Sequence, residues 1–340
     1  MLSEVLRALR LTGAIFFNVE QRAPWVAHTP AGSEIASCVM PEADHVIMFH
    51  VVTAGGLWAE ILDGSIPPIR VDAGEILIVP MADAHVLCSS QGMRTPANLA
   101  MYHLPKDRQL PFAISPGHSD GEPTHLICGY LGCDSKPFNP VLRCLPKLLH
   151  LKADETGGTS MQLLRMAVAE SATPRAGGET VLSKIAELMF VDAVRRYADS
   201  LPGNASSWLA GLRDPQIGTA LAFIHASPAE AWTVDELARR VALSRSVFAE
   251  RFSHFMGESP MHYLAKWRMQ LAARLLEQKG KGIAQVAAQV GYESEQAFNR
   301  AFKKFVGAPP GAWRRSHHIP TELAPVTAVT SAAPDVVIVH

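Results

Sequence analysis

Gly291-Tyr292-Glu293-Ser294-Glu295-Gln296-Ala297-Phe298-Asn299-Arg300-Ala301-Phe302-Lys303-Lys304-Phe305-Val306-Gly307 reads as a tight turn followed by a capped, amphipathic helix. Ser294 is a natural N-cap, and Gly307 ends the helix. Phe298, Phe302 and Phe305 fall at i, i+4 and i+7 on one stripe. The same spaced phrase stands fifty residues earlier, as Ser244, Phe248, Phe252, Phe255, Gly257, Pro260 and Tyr263. Its counterparts are Ser294, Phe298, Phe302, Phe305, Gly307, Pro310 and Trp313. Upstream of each Ser lies a short helix, marked by Leu237, Ala238 and Val241 and then by Val286, Ala287 and Val290. A short helix, a turn and a capped second helix make a helix-turn-helix, and this chain is expected to carry two in tandem.

Between the copies, Pro260, Tyr263, Leu264, Trp267, Arg268, Ala272, Leu275 and Leu276 keep helical spacing. A helix from about Met261 to Gln278 has roughly 18 residues and spans about 27 Å. Successive major grooves on one face of DNA lie about 34 Å apart, so such a rigid connector can hold two recognition helices in adjacent grooves.

These residues resemble the AraC/XylS family of bacterial transcription regulators, most specifically over about residues 214–315. The resemblance implies double-stranded DNA as the partner, with activation through RNA polymerase. Carried over by position, Gln296, Ala297 and Arg300 would face bases. The outer face of the second helix also carries Asn299 and Lys303. Gln can pair with adenine and Arg with guanine, Lys suits phosphate, and Ala297 offers only a methyl group, for instance to thymine. In the first helix the matching positions are Ser246, Ala249 and Glu250, with Arg245 near the cap. Glu250 can accept from the amino group of cytosine or pair with a neighbouring Arg, which makes this helix the poorer base reader. Arg239, Arg240, Lys266, Lys304, Arg314 and Arg315 read as phosphate contacts or solvated charge.

The formal net charge of −1 hides an asymmetry. Residues 213–315 hold 15 Lys and Arg against 9 Asp and Glu, whereas residues 1–212 hold 16 against 21. A positive C-terminal module on an acidic partner fits local binding of nucleic acid. Cys38, Cys88, Cys128, Cys133 and Cys144 are odd in number and show no CxxC spacing, which argues against a disulfide framework. The start of the chain lacks a signal-peptide pattern, and no apolar run approaches the roughly 18 residues that span a bilayer. A cytoplasmic protein with no membrane partner is expected.

From Ile35 to about Tyr130, short apolar runs broken by Gly, Pro and Asp predict antiparallel strands in a sandwich or barrel. Gly74, Pro80 and Asp83-Ala84-His85 resemble the second motif of the cupin fold, with Ala82 where Gly is usual and Ser89 where Asn is usual. Regulators of the resembling kind often place such a cupin-like sensor before the DNA-binding module. Metal-dependent cupins draw most ligands from a first motif, but Phe49-His50-Val51-Val52-Thr53-Ala54-Gly55-Gly56 supplies one His and no suitable Glu. His50, His85 and Cys128 could still converge as a zinc site; the alternative is two hydrogen-bonded core histidines and a buried thiol. Phe49, Trp58, His85 and Met101 are candidates for a pocket that takes a small effector, with Met48 beside them; core packing explains the aromatics and methionines equally well. Oxidant sensing through Cys128 or Cys88 is a third option and requires a low-pKa thiolate.

Gly157-Gly158 and Pro174-Arg175-Ala176-Gly177-Gly178 punctuate two helices, about Ser160–Ser171 and Glu179–Ser200. In the second, Leu182, Ile185, Ala186, Met189, Ala193 and Arg196 form a stripe that either packs on the barrel or pairs helices in a homodimer. The expected organisation is a cupin-like sensor over 1–150, a helical linker and dimerisation region over 151–205, a DNA-binding domain over 206–315 and a disordered tail over 316–340. The fold class is multidomain: an N-terminal all-β cupin-like barrel with flanking helices, and a C-terminal all-α tandem helix-turn-helix. The functional expectation is a non-enzymatic, sequence-specific DNA-binding transcription regulator with a small-molecule or oxidant effector. A metal-dependent cupin enzyme with an appended DNA-binding module is the rival, and a constitutive, ligand-free architectural binder is a third reading.

Overall fold

The computed structural model describes residues 11–41, 43–102, 112–114, 120–134, 137–153, 158–173, 175–202, 205–278 and 280–317. The N-terminal half holds β1 (Thr12–Arg22), β2 (Val26–Thr29), α1 (Gly32–Val39), β3 (His45–Ala54), β4 (Gly56–Ile61), β5 (Ile69–Asp72), β6 (Ile76–Val79), β7 (His85–Cys88), β8 (Phe112–Ile114), β9 (Pro123–Cys133), α2 (Pro140–Cys144) and β10 (Leu149–Leu151). The strands form a six-stranded sheet, β10-β6-β3-β9-β1-β8, and a four-stranded sheet, β2-β7-β4-β5.

The expected barrel is therefore corrected to two facing sheets; no closed barrel forms among the described residues. The chain changes sheets between β3 and β4 at Gly55, whose φ is +73°. A Cβ there would stand 2.5 Å from the carbonyl oxygen of Pro123, so only glycine fits this turn.

The six-stranded sheet is apolar on both faces, and strand alternation sorts its residues. Phe16, Ile47, Phe49, Val51, Ile76, Ile78, Ile127 and Leu131 face outward into one cluster with the flanking helices. Phe17, Val46, Met48, Val79 and Tyr130 belong to a second cluster, and Val52, Leu57, Leu77, Leu87 and Leu126 to another, inside the sandwich.

Two helices cover the outer face, α3 (Thr159–Ala172) and α4 (Gly178–Ser200). Leu182, Ile185, Ala186, Met189 and Ala193 of α4 are all buried against that sheet. Arg196 donates to the Lys152 carbonyl at 3.0 Å. The stripe thus serves packing within one chain, which removes it as a partner surface. Exposed apolar side chains lie instead at Met166 and Val168 of α3 and Val181 and Leu188 of α4.

The C-terminal half is helical: α5 (Trp208–Arg213), α6 (Pro215–Ala226), α7 (Val234–Arg240), α8 (Arg245–Met256), α9 (Pro260–Glu277), α10 (Ile283–Gln289), α11 (Glu295–Val306) and α12 (Pro310–Ser316). The core of α5–α8 and the start of α9 is continuous with the outer core of the sandwich. Phe298, Phe302, Val286, Ala287 and Trp313 form a separate core with the C-terminal part of α9. Residues 316 and 317 close α12, which corrects the start of the expected tail. The rest of that tail, from 318, lies outside the described residues.

Candidate nucleic-acid interface and sensor cavity

The two repeated helices, α8 and α11, share one plan. Ser244 Oγ accepts from the Val247 N–H at 3.4 Å, and Ser294 Oγ from the Ala297 N–H at 3.2 Å. Gly257 and Gly307 end the helices at φ of +70° and +87°. Phe248, Phe252, Phe298 and Phe302 are fully buried. Phe255 is nearly so, whereas Phe305 is only half-buried, against the ring of His262. The turn preceding each helix differs. Gly291 takes the left-handed conformation in the second copy, and Ala242 takes it in the first at φ of +56°. No glycine marks that earlier turn, so the sequence pattern did not reveal it.

The fixed Phe stripe turns the opposite face to solvent. On α8, Arg245, Ser246 and Glu250 are exposed; on α11, Gln296, Arg300 and Lys303 are exposed. Ala249, Ala297 and Asn299 are half-buried at the flank, and the Oδ1 of Asn299 is buried without a partner. Asn299 is therefore corrected from the outer face to the flank. Arg245 pairs with Asp235 at 3.3 Å. Glu250 makes no ion pair among the described residues, because neighbouring Arg251 is held by Asp214, the buried N-cap of α6, at 3.1 Å. Val247, on the exposed face of α8, is 47% exposed and escaped the sequence reading. Its signal was available: it stands fifty residues before Ala297.

The connector α9 has 18 residues, as the spacing required. Arg268 on it donates to the carbonyls of Pro228 at 2.7 Å and Glu230 at 2.8 Å and lies over the ring of Tyr292. One side chain thereby joins the loop of the first helical unit to the turn of the second. Arg239 and Arg240 both pair with Glu236. Lys266 is tied to Glu258 at 2.6 Å beside a cleft of about 720 Å³ between the two halves, which takes it away from the recognition face.

In the sandwich, His50 and His85 meet: their Nε2 atoms are 2.8 Å apart, and His85 Nδ1 lies 2.8 Å from the Asp83 carbonyl oxygen. Burial pushes the His85 pKa down to about 4 and that of His50 well below its ordinary value. Both rings are therefore neutral. The expected zinc site is not supported by this geometry. Two nitrogen ligands of a tetrahedral zinc stand about 3.3 Å apart with both lone pairs aimed at the ion. Here one ring donates to the other, and no three His, Cys, Asp or Glu side chains cluster to hold a metal among the described residues.

His50 and Cys128 line a cavity of about 90 Å³, with Phe17, Trp25, Leu87 and Tyr130 among its walls. The expected effector pocket is corrected accordingly. Phe49 is adjacent to His50 on β3 and so points to the opposite face, where it packs under α4. Trp58 sits on β4 between inward Leu57 and Ala59 and faces away from the sandwich interior. His85 reaches the cavity only through His50. The side chain of Met101 lies outside the described residues. Burial pushes the Cys128 thiol up to about 12 and raises that of Cys88. Neither is a ready thiolate, which weakens the oxidant reading.

A family profile described as cupin matches residues 1–199, and one described as helix-turn-helix domain matches residues 237–316. The chain is 32% identical to an AraC-like transcription regulator of Streptomyces lividans, over 82% of this chain and 90% of that protein. It is 26% identical to the HTH-type transcriptional regulator AlkR of Acinetobacter baylyi, over 92% and 98% of the two chains. Against the RCS-specific HTH-type transcriptional activator RclR of Escherichia coli, identity is 28% over 79% and 84%. Among solved structures, the DNA-binding domain of the global transcriptional factor AdpA in complex with a target DNA matches at 31% identity. That match covers 31% of this chain and 93% of that one, with a TM-score of 0.30. No helix among the described residues is long and apolar enough to cross a membrane. A cupin domain followed by a helix-turn-helix region, together with AraC-like relatives matched over most of their length, places this chain in the AraC-type family of DNA-binding transcription regulators.

Proposed function

We propose that α7–α8 and α10–α11 act as tandem helix-turn-helix units that read two adjacent major grooves. The observation that carries this reading is the matched pair of capped, Phe-anchored helices held by an 18-residue connector. In α11, Gln296 and Arg300 read base edges and Lys303 neutralises phosphate. In α8, Ser246, Glu250 and Val247 read more weakly, Val247 by apolar contact with a thymine methyl. The sandwich serves as a sensor of a small molecule, in a chain divided at about 150, 205 and 315. An occupied cavity biases the sandwich, and its shared core with α5–α8 passes that bias to the first unit.

A second copy of this chain supplies the other half of a homodimer. Val181 and Leu188 are exposed and stand seven residues apart on one side of α4, which marks that side as the surface a partner covers. Membership of the family supports activation through RNA polymerase as the mode of action. The enzyme reading draws no support from the site, since His50 and His85 bind each other.

Selection of genomic fragments on the full-length protein tests the proposal. A discrete site of about 20 bp is expected, with log affinity falling steeply against log salt. Absence of any enriched site, or a flat salt response, would remove the DNA-reading proposal.

A further inference from the structure

The hydrogen-bond relay beneath the sandwich cavity fixes what the cavity can accept. A carbonyl oxygen only accepts, so the Asp83 carbonyl requires a proton on His85 Nδ1. A neutral His85 then presents a lone pair at Nε2, and His50 Nε2 must donate to it. His50 is neutral too, so its Nδ1 carries a lone pair. That atom is buried and has no partner among the described residues. The Nε1–H of Trp25, a donor, is also buried and unpartnered. Both residues line the cavity. Orphaned buried polar atoms are costly, and one acceptor and one donor at the same cavity specify the complement.

The rest of the wall narrows the class further. Phe17, Val19, Leu87 and Leu126 make it largely apolar, Gln21, Thr29 and Tyr102 add neutral polar groups, and among the described residues no Lys, Arg, Asp or Glu lines it. An ion would be desolvated there without a counter-charge. The volume of about 90 Å³ limits the occupant to a small molecule of a few carbons. The geometry points to a neutral alcohol of a few carbons as the ligand of this cavity, its hydroxyl donating to His50 Nδ1 and the molecule accepting from Trp25 Nε1. This deepens, and rests on, the reading of the sandwich as a sensor.

Two isomers of equal size separate the requirement for a donor from simple cavity filling. 1-Butanol donates and accepts, while diethyl ether only accepts. Full-length protein is titrated with each, and with butyrate, by calorimetry and by nitrogen-15 resonances of labelled histidine. Butanol is expected to bind at least about tenfold tighter than the ether, the loss expected for an unmet buried acceptor. The resonance of His50 Nδ1 should move with butanol alone. Trp25→Phe keeps a ring and loses the donor, so it should weaken both isomers while preserving their ratio.

Equal binding of the isomers, preference for butyrate, or no binding at all would overturn the inference. So would rapid oxidation of Cys128 by hydrogen peroxide in protein that ignores butanol. Operator affinity without ligand is measured on the same preparation. Intact operator binding with no butanol binding sinks this inference and leaves the regulator standing. Butanol binding that leaves operator affinity unchanged supports the cavity chemistry and sinks the sensor reading.

Discussion

The backbone N–H of Phe138, just after the last long strand of the sandwich, donates to Gln270 Oε1 in the middle of the connector helix at 2.9 Å. The ring of Phe138 stands edge-on to Tyr263 at 5.6 Å, and Lys266 lies over it at 5.5 Å. Tyr263 in turn accepts from the indole N–H of Trp208 at 2.8 Å. One residue of the N-terminal half thus touches three residues of α9, and any displacement of Phe138 loads the connector directly. This contact is buried, so its hydrogen bond has no water to substitute for it.

Gln270→Leu is expected to leave the Phe138 N–H unpaired and to cost about 1–3 kcal/mol of stability. Gln270 is itself 2% exposed, so the leucine fits the volume while removing the acceptor. Thermal unfolding of the full chain measures the loss. An unchanged melting temperature would show that the contact does not hold the halves together.

Arg300→Ala should weaken binding to the cognate site by about 1–3 kcal/mol and relax specificity at one base pair. Arg300 is exposed on the free face of α11 and makes no ion pair among the described residues, so the substitution should spare the fold. Binding to cognate and random duplexes is compared at one salt concentration. Equal losses on both would make Arg300 a phosphate contact.

Leu188→Glu should convert a dimer to a monomer. Leu188 is 54% exposed on α4, on the same side of that helix as exposed Val181. A buried, unpaired carboxylate at an interface is unfavourable, whereas the same group on a free surface is harmless. Sedimentation of both proteins over a concentration series decides between these outcomes, and a dimeric variant would place the interface elsewhere.

The paired helices α8 and α11 are legible in the sequence because each rule acts within one element: a Ser cap, a Phe stripe at i, i+4 and i+7, and a terminal Gly. Local patterns of this kind survive without knowledge of the partner surface. The sandwich cavity is only half legible. His50 and Cys128 were named together, and β3 and β9 do place them opposite each other. Their chemistry depended on His85 arriving from the other sheet, and sequence spacing carries no such distance. Phe49 and Trp58 were misplaced for a simpler reason: alternation along β3 and β4 already puts them on the wrong faces. Trp25, by contrast, gives no signal, because its indole is buried among Val52, Leu57, Leu77, Leu87 and Leu126 of five separate strands, a grouping that sequence spacing does not show.

Ala242→Gly should stabilise the protein by about 0.5–1 kcal/mol, since alanine in the left-handed region is strained and glycine is not. Ala242 is exposed, so no packing is lost. Ala82, at φ of +53°, offers the contrast: its methyl is 1% exposed and packs close to Gly32. Ala82→Gly should gain less, because it also opens a void. Denaturant midpoints of the two variants give the comparison, and a larger gain at Ala82 would contradict the argument.

Stability should fall as pH drops below about 6.5. Burial pushes the His225 pKa down to about 3 and that of His85 down to about 4, from an ordinary value of 6.5. Across that window the unfolded chain takes up protons that the folded chain refuses. Folding is therefore opposed more strongly at each step downward, and the full contribution is present above 6.5. His225 is stacked on Trp267 at 4.1 Å and bonded to the Tyr263 hydroxyl at 2.9 Å, so the first helical unit is expected to be acid-labile. His225→Gln removes one titrating group and should flatten the pH dependence between 6.5 and 4 without abolishing it, since His85 and His50 remain. Unfolding free energies of both proteins at half-unit pH steps test this. Parallel curves would mean that His225 does not resist protonation in the folded state.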